Sequence, residues 1–146
     1  YFKENKLLGE LQKGRFESLQ FDDQTFDFVI DRAALTCVGH PTQQQAIHEI
    51  YRVLRSGGHF LFTPYADTHS SCKAGKLSDE GLTYDISAGT LQGVGHIRFL
   101  SKEDILSLFP EQNWSIISME YETRQDILSD DHNSFHSSWR VVVHKK

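Results

Sequence analysis

The feature that most constrains this chain is a strand–helix–strand unit written into residues 26–64. Phe26-Asp27-Phe28-Val29-Ile30-Asp31 is a short, mostly apolar run of β-forming residues, and His59-Phe60-Leu61-Phe62-Thr63 is a second, stopped by Pro64. Runs of this kind suit strands buried on both faces, as in a parallel sheet. Between them Ile47, Ile50, Tyr51 and Leu54 recur at i, i+3, i+4 and i+7, the apolar stripe of an amphipathic helix over 43–55. His40-Pro41-Thr42 breaks the chain ahead of this helix and is expected to cap it. Arg52 and Arg55 fall in its last turn, where the helix dipole favours cations, and Gly57-Gly58 is expected to end it in the left-handed conformation. The two strands are then parallel and the crossover right-handed.

The rest of the chain is read around this unit. Leu7, Leu8 and Leu11 have helix-compatible spacing in residues 1–13, a pattern that Gly9 weakens. Residues 14–21 alternate from Phe16, which predicts a short strand or an extended lead into the turn Asp22-Asp23-Gln24. Residues 66–99 are rich in Gly, Ser, Thr and Asp and lack periodicity. A loop of that length in a compact domain is functional or disordered. Ser101 with Asp104 reads as a capping box opening a helix over 101–109, with Ile105, Leu108 and Phe109 as its stripe and Pro110 as its stop. Segments 114–124 and 138–144 carry β character with no helix pattern between them, so they are expected to pair antiparallel.

Composition narrows the class of partner. At 146 residues with 38% hydrophobic residues, the chain supports one globular domain. Its net charge of -5 and the lack of a basic stripe disfavour a large nucleic acid, while small nucleotides stay open. No apolar run is long enough to cross a bilayer. Cys37 and Cys72 form no CxxC pair, so a reducing, cytoplasmic setting is expected. The first residues resemble neither a signal nor a transit peptide, and the chain opens without Met in the middle of an element, which reads as truncation. His40, His48, His59, His69, His96, His132, His136 and His144 are scattered without ligand spacing, so no metal is expected. No G-x-S-x-G elbow follows a strand, and Gly89, Gly93 and Gly95 lack dinucleotide spacing.

Open parallel sheets bind ligands at the carboxyl ends of their strands. That rule selects Asp31, Arg32 and Ala33 after the first strand and Pro64, Tyr65 and Asp67 after the second, with Glu17 on the same edge. The pair Asp31-Arg32 reads equally as a solvated turn or an internal salt bridge. Tyr65 reads equally as packing on the next helix, and Asp27 reads as a turn or cap residue.

Two stretches carry a resemblance. Leu19-Gln-Phe-Asp-Asp-Gln-Thr-Phe-Asp-Phe-Val-Ile-Asp31 is followed by Ile47-His-Glu-Ile-Tyr-Arg-Val-Leu-Arg-Ser-Gly-Gly-His-Phe-Leu-Phe62. Together they resemble the class I S-adenosylmethionine-dependent methyltransferases, whose corresponding segments run "LPFxDxxFDxVxx" and "xxExxRVLKPGGxFxF". The resemblance implies a Rossmann-like, doubly wound α/β fold with a mostly parallel sheet and an antiparallel last strand inserted beside the fifth. It makes residues 1–146 a single, partial domain in which 66–99 is a substrate-binding insertion. The family's N-terminal strands and glycine-rich loop have no counterpart and are read as missing.

The resemblance also implies site residues. Where the family carries "Gly-Asp-Ala" and its Asp holds the adenine, this chain has Gly14-Arg15-Phe16, with Glu17 close by. Asp31, Arg32 and Ala33 would line the methionine end of the cofactor. Cys37, where many members have "LHH", would face the acceptor with Tyr65, and His69, Tyr84 and His96 become substrate candidates. Methyl transfer is an in-line displacement needing alignment and exclusion of water, with a base only if the acceptor must lose a proton. His40, His69, His96 and Tyr65 have the chemistry of a base, and none is singled out. The function implied is S-adenosylmethionine-dependent methyl transfer to a small molecule, and the alternative is a non-catalytic fragment or binding module of the same fold. An exposed sheet edge left by missing strands predicts self-association.

Overall fold

The computed structural model describes residues 9–128 and 134–146. In chain order come β1 (Phe26–Asp31), a 3-10 turn (Leu35–Cys37), α1 (His40–Val53), β2 (Leu54–Phe62), β3 (Tyr65–Ala66), β4 (Lys76–Leu77), β5 (Thr83–Tyr84), β6 (Phe99–Leu100), α2 (Lys102–Leu108), β7 (Trp114–Gln125) and β8 (Phe135–Lys145). β1 and β2 are parallel, with Asp31 opposite Phe62. β8 lies antiparallel between β2 and β7. This is the Rossmann-like α/β arrangement with a reversed last strand that the sequence predicts.

Pro64 divides what is otherwise one strand. His59 pairs with His144 and Phe62 with Val141, and beyond the proline Tyr65 pairs with Ser138 in unbroken register. Trp139 N donates to Pro64 O at 2.8 Å. Proline has no N–H with which to return that bond. Where β1 ends, β6 takes up the same side of the column, parallel to β3.

Alternation of side chains along the strands sends Phe60, Phe62, Val141 and Val143 to one face, where all four are fully buried. Ile47 and Ile50 of α1 and Ile105, Leu108 and Phe109 after them close the same core. Each large apolar side chain so buried contributes about 1.5–3 kcal/mol. The opposite face carries Phe28 and Ile30, which are 50% and 59% exposed. No described helix covers it.

Several elements differ from expectation. α1 follows Gly39 with Pro41 in its first turn and no side-chain cap, so Thr42 lies inside the helix rather than capping it. It ends at Val53, because Leu54 turns extended (φ -74, ψ 140) and already pairs with Phe26. Gly57 does adopt a left-handed conformation (φ 81), but inside β2, where the β1–β2 register shifts between Phe26 and Phe28. The glycines therefore shape a bulge and do not stop the helix. Lys145 serves the helix end instead, its Nζ donating to Tyr51 O at 2.6 Å and Leu54 O at 2.7 Å. Arg55 leaves the helix and holds Asp27 across the parallel pair, 2.8 Å to each carboxylate oxygen, so Asp27 is neither turn nor cap.

Residues 14–21 form a tight turn with a single Arg15–Ser18 bridge in place of a strand. No helix forms over 9–13, where Leu11 is 78% exposed; Leu7 and Leu8 lie outside the described residues, as does His132. Residues 66–99 are not irregular throughout. They contain the β4–β5 hairpin and a small core of Ile86, Leu91 and Ile97, against which Tyr65 and Phe99 pack. The capping box at Ser101 forms as predicted, Ser101 Oγ accepting from Asp104 N at 3.0 Å and Asp104 Oδ2 from Ser101 N at 2.9 Å.

Candidate functional site

The site begins where β1 runs out. Asp31 is buried, and its Oδ1 accepts the backbone N–H of Ala34 at 3.1 Å and of Leu35 at 3.0 Å. This Asx turn bends the chain into the 3-10 turn and places Ala33 at φ 58, a conformation most side chains avoid. The bend is pinned from outside. Gln43 of α1 donates to Leu35 O at 3.0 Å, Arg98 N donates to Thr36 O at 2.7 Å, and Thr63 Oγ1 donates to Asp31 O at 3.0 Å. Asp31 Oδ2 is buried with no hydrogen-bond partner among the described residues. Burial pushes the Asp31 carboxyl above its ordinary pKa, against the pull of the turn's N–H groups.

Phe16, Asp31, Arg32 and Ala34 line a cavity of about 200 Å³ floored by Ile50 and Ala46 of α1. Phe16 reaches it because the segment before β1 is strapped to α1. Arg52 donates to Leu19 O at 2.9 Å, Phe21 O at 2.8 Å and Asp23 Oδ1 at 2.8 Å, and it grips both oxygens of Glu49 at 2.9 Å. Glu49 in turn accepts Leu19 N at 2.9 Å. The Arg52 guanidinium holds the Glu49 carboxyl down at about 2. Arg15 and Glu17 stand outside this cavity, bonded to one another at 2.7 Å. A bond from its own backbone N–H and then the bond to Arg15 lower the Glu17 pKa.

A second cavity, about 450 Å³, opens at the carboxyl ends of β1 and β2 on the uncovered face. Arg32, Ala33 and Tyr65 line it, as the strand-edge rule selects, and so do Arg124, His136 and Trp139. Behind Tyr65 sits His69, 2% exposed, its ring edge-on to Tyr65 and to His136. His69 Nδ1 accepts Ser71 N–H at 3.1 Å, and its Nε2 lies 3.0 Å from Thr90 Oγ1 and 3.4 Å from His136 Nδ1. Burial, followed by the facing His136, lowers the His69 pKa to about 4. Burial also raises the Tyr65 phenol, with Cys37 adding to it. Cys37 is exposed on the 3-10 turn. Tyr84 and His96 stack on each other, centroids 5.6 Å apart, and neither lines the cavity with Tyr65. His40, on the first turn of α1, is likewise not among the lining residues.

Sequence reasoning did not select Arg124, His136 or Trp139 as site residues. They come from β7 and β8, and only the antiparallel register, with Arg124 opposite His136, carries them to this edge.

Comparison with known proteins agrees with this geometry. Residues 2–62 match the methyltransferase domain family. A phthiotriol/phenolphthiotriol dimycocerosates methyltransferase of Mycobacterium tuberculosis is 41% identical over 66 residues, 44% of this chain and 23% of that protein. Among solved structures, a SAM-dependent methyltransferase from Methanosarcina mazei superposes with a TM-score of 0.65 at 17% identity, covering 90% of this chain and 65% of that one. A 1,6-didemethyltoxoflavin-N1-methyltransferase of Burkholderia thailandensis, solved with bound 1,6-didemethyltoxoflavin and S-adenosylhomocysteine, superposes with a TM-score of 0.56 at 13% identity over 90% of this chain and 48% of that one. The chain has the fold of these S-adenosylmethionine-dependent methyltransferases, and its residues 2–62 are similar to the methyltransferase domain family. It spans about a quarter of the length of the curated relative and about two thirds of the Methanosarcina chain.

Proposed function

We propose that the protein transfers the methyl group of S-adenosylmethionine to a small-molecule acceptor. The observation that carries this reading is the orphaned Oδ2 of Asp31, buried beside a cavity at the carboxyl end of β1. A buried carboxylate oxygen without a donor is costly and rarely left so, and a ligand bearing hydroxyl or ammonium hydrogens relieves it. The residues present suit such a ligand. Asp31 would accept from it, Phe16 would cover an aromatic ring, and Arg32 and the bend at Ala33 would close the site. Arg15 lines a separate hollow that shares Phe16 with this cavity, and Glu17 is bonded to Arg15. When bound, S-adenosylmethionine supplies an electrophilic sulfonium methyl.

The chain's own part is alignment and exclusion of water. Tyr65 lines the acceptor side, Cys37 stands on the 3-10 turn, and the segment 66–99, in which Tyr84 of the β4–β5 hairpin stacks on His96, is read as the substrate-binding insertion. His69 is too deeply buried to meet an acceptor and acts through its neighbours. The uncovered β1 edge is the proposed route of self-association.

Calorimetric titration with S-adenosylhomocysteine tests the reading. The protein is expected to bind saturably, and Asp31→Asn, which presents an amide where an acceptor is needed, to bind about tenfold more weakly. Circular dichroism should show the variant still folded. Absence of binding both by this chain and by a version extended at its N-terminus would leave only a non-catalytic binding module of this fold.

A further inference from the structure

The second cavity is more than a space next to the cofactor edge, because one of its side chains has its hydrogen placed by the buried residues behind it. The backbone N–H of Ser71 is a fixed donor, so His69 Nδ1 must hold a lone pair. The proton of neutral His69 therefore sits on Nε2, between Thr90 Oγ1 and His136 Nδ1. A hydrogen on His136 Nδ1 would oppose it across 3.4 Å. His136 Nδ1 is then an acceptor, and its hydrogen is on Nε2. On this assignment a backbone amide two steps back from the cavity leaves neutral His136 a donor at Nε2.

The charges around it agree. Arg32 and Arg124 line the same cavity, and neither has an ion-pair partner among the described residues. Arg140, also on the wall, is held by Glu120 at 3.6 Å. Glu122 is the acidic side chain facing His136 here, and it forms no ion pair with Arg124. Ile30, Leu61 and Trp139 supply the apolar part of the lining. Two guanidinium groups without an ion pair among the described residues and an imidazole donor, in a chain of net charge -5, suit a negative oxygen.

We propose that this cavity binds an oxyanion carried on an apolar body, through Arg32, Arg124 and the Nε2–H of His136, and that the methyl acceptor is of this class. The second clause rests on the methyltransferase reading; the first does not. An acceptor so held is oriented by its anion and gives up no proton to His136.

The test uses phenyl-bearing probes on the full chain, read by the indole resonance of Trp139 and the imidazole nitrogens of His136. Benzoate and phenyl phosphate carry the anion, and benzamide is the neutral control. The imidazole spectrum should show His136 as the Nε2–H tautomer. Benzoate or phenyl phosphate should saturate the Trp139 shift while benzamide leaves it in place, and the stronger of the two names carboxylate or phosphate as the group recognised. Arg32→Gln and Arg124→Gln should each weaken binding about tenfold. His136→Ala should weaken it too, and His136→Gln, which keeps a donor at the Nε2 position, should restore much of it. An equal response to benzamide, an Nδ1–H tautomer, or anion binding indifferent to both arginine changes overturns the proposal. S-adenosylhomocysteine titration of the same samples separates the two readings. Its failure in this chain and in the extended version, with anion binding intact, sinks the methyltransferase and leaves the receptor.

Discussion

The nitrogen of His69 that meets Ser71 N–H has no room for a proton, and the rest of the ring is sealed beneath Tyr65. In the unfolded chain this histidine takes up a proton near 6.5, whereas in the folded protein it resists until about 4. Its folded pKa is the lower one, so the unfolded state binds the extra proton first as pH falls. The stability it supports is complete above 6.5 and is lost progressively down to about 4. Thermal melts across that window should show a steep fall in Tm, and His69→Gln should flatten it. A variant as acid-sensitive as the parent would place the titrating group elsewhere. Asp31, Arg32 and Tyr65 were legible in the sequence because a strand's carboxyl end can be read from its last apolar residue. His136 and Arg124 were not, since nothing in residues 114–144 tells which positions of the two long strands will stand opposite each other.

Among the elements, α1 does more than bury a stripe. Glu49 and Arg52, one turn apart, fasten the whole approach to β1 and so deliver Phe16 to the cavity. Arg52→Lys keeps the charge but loses the planar fork that meets two backbone carbonyls and two carboxylates at once. A loss of about 1–3 kcal/mol is expected, measured as a lower urea midpoint with unchanged slope. Glu49 adds an acid limit of its own. Its carboxyl titrates at about 2 when folded against an ordinary 4.5, so its contribution is held above 4.5 and drains away towards 2. In Arg52→Lys that acid limb should still begin near 4.5 but be shallower and end at higher pH, because the folded carboxyl is held down less. The helix itself was readable from its stripe, but its end was not. Gly57-Gly58 looks like a stop signal, yet the strand had already begun at Leu54, because pairing with Phe26 outweighs a local turn preference. The hairpin and small core within 66–99 escaped detection because two-residue strands leave no period to read.

For the molecule as a whole, the uncovered face and the outer edge of β1 are the proposed route of self-association. Phe28 and Ile30 stand exposed on a strand that pairs on one side only among the described residues. Sedimentation velocity should show a concentration-dependent dimer, reduced by Ile30→Lys, whose charge discourages edge pairing. A monomer at every concentration would count against association through this edge. The position of β8 has another consequence, in the order of events during synthesis. Of the described elements it is the last to be made, yet it lies between β2 and β7 and carries the register across Pro64. Until residues 135–145 leave the ribosome, β2 and β7 have no strand between them and the aromatic core over Phe60 and Phe62 stays open. Such long-range closure is slow and exposes apolar surface while it waits. A nascent chain stalled before β8 is therefore a client for chaperones, and the sheet closes in one late step as the final strand slides home.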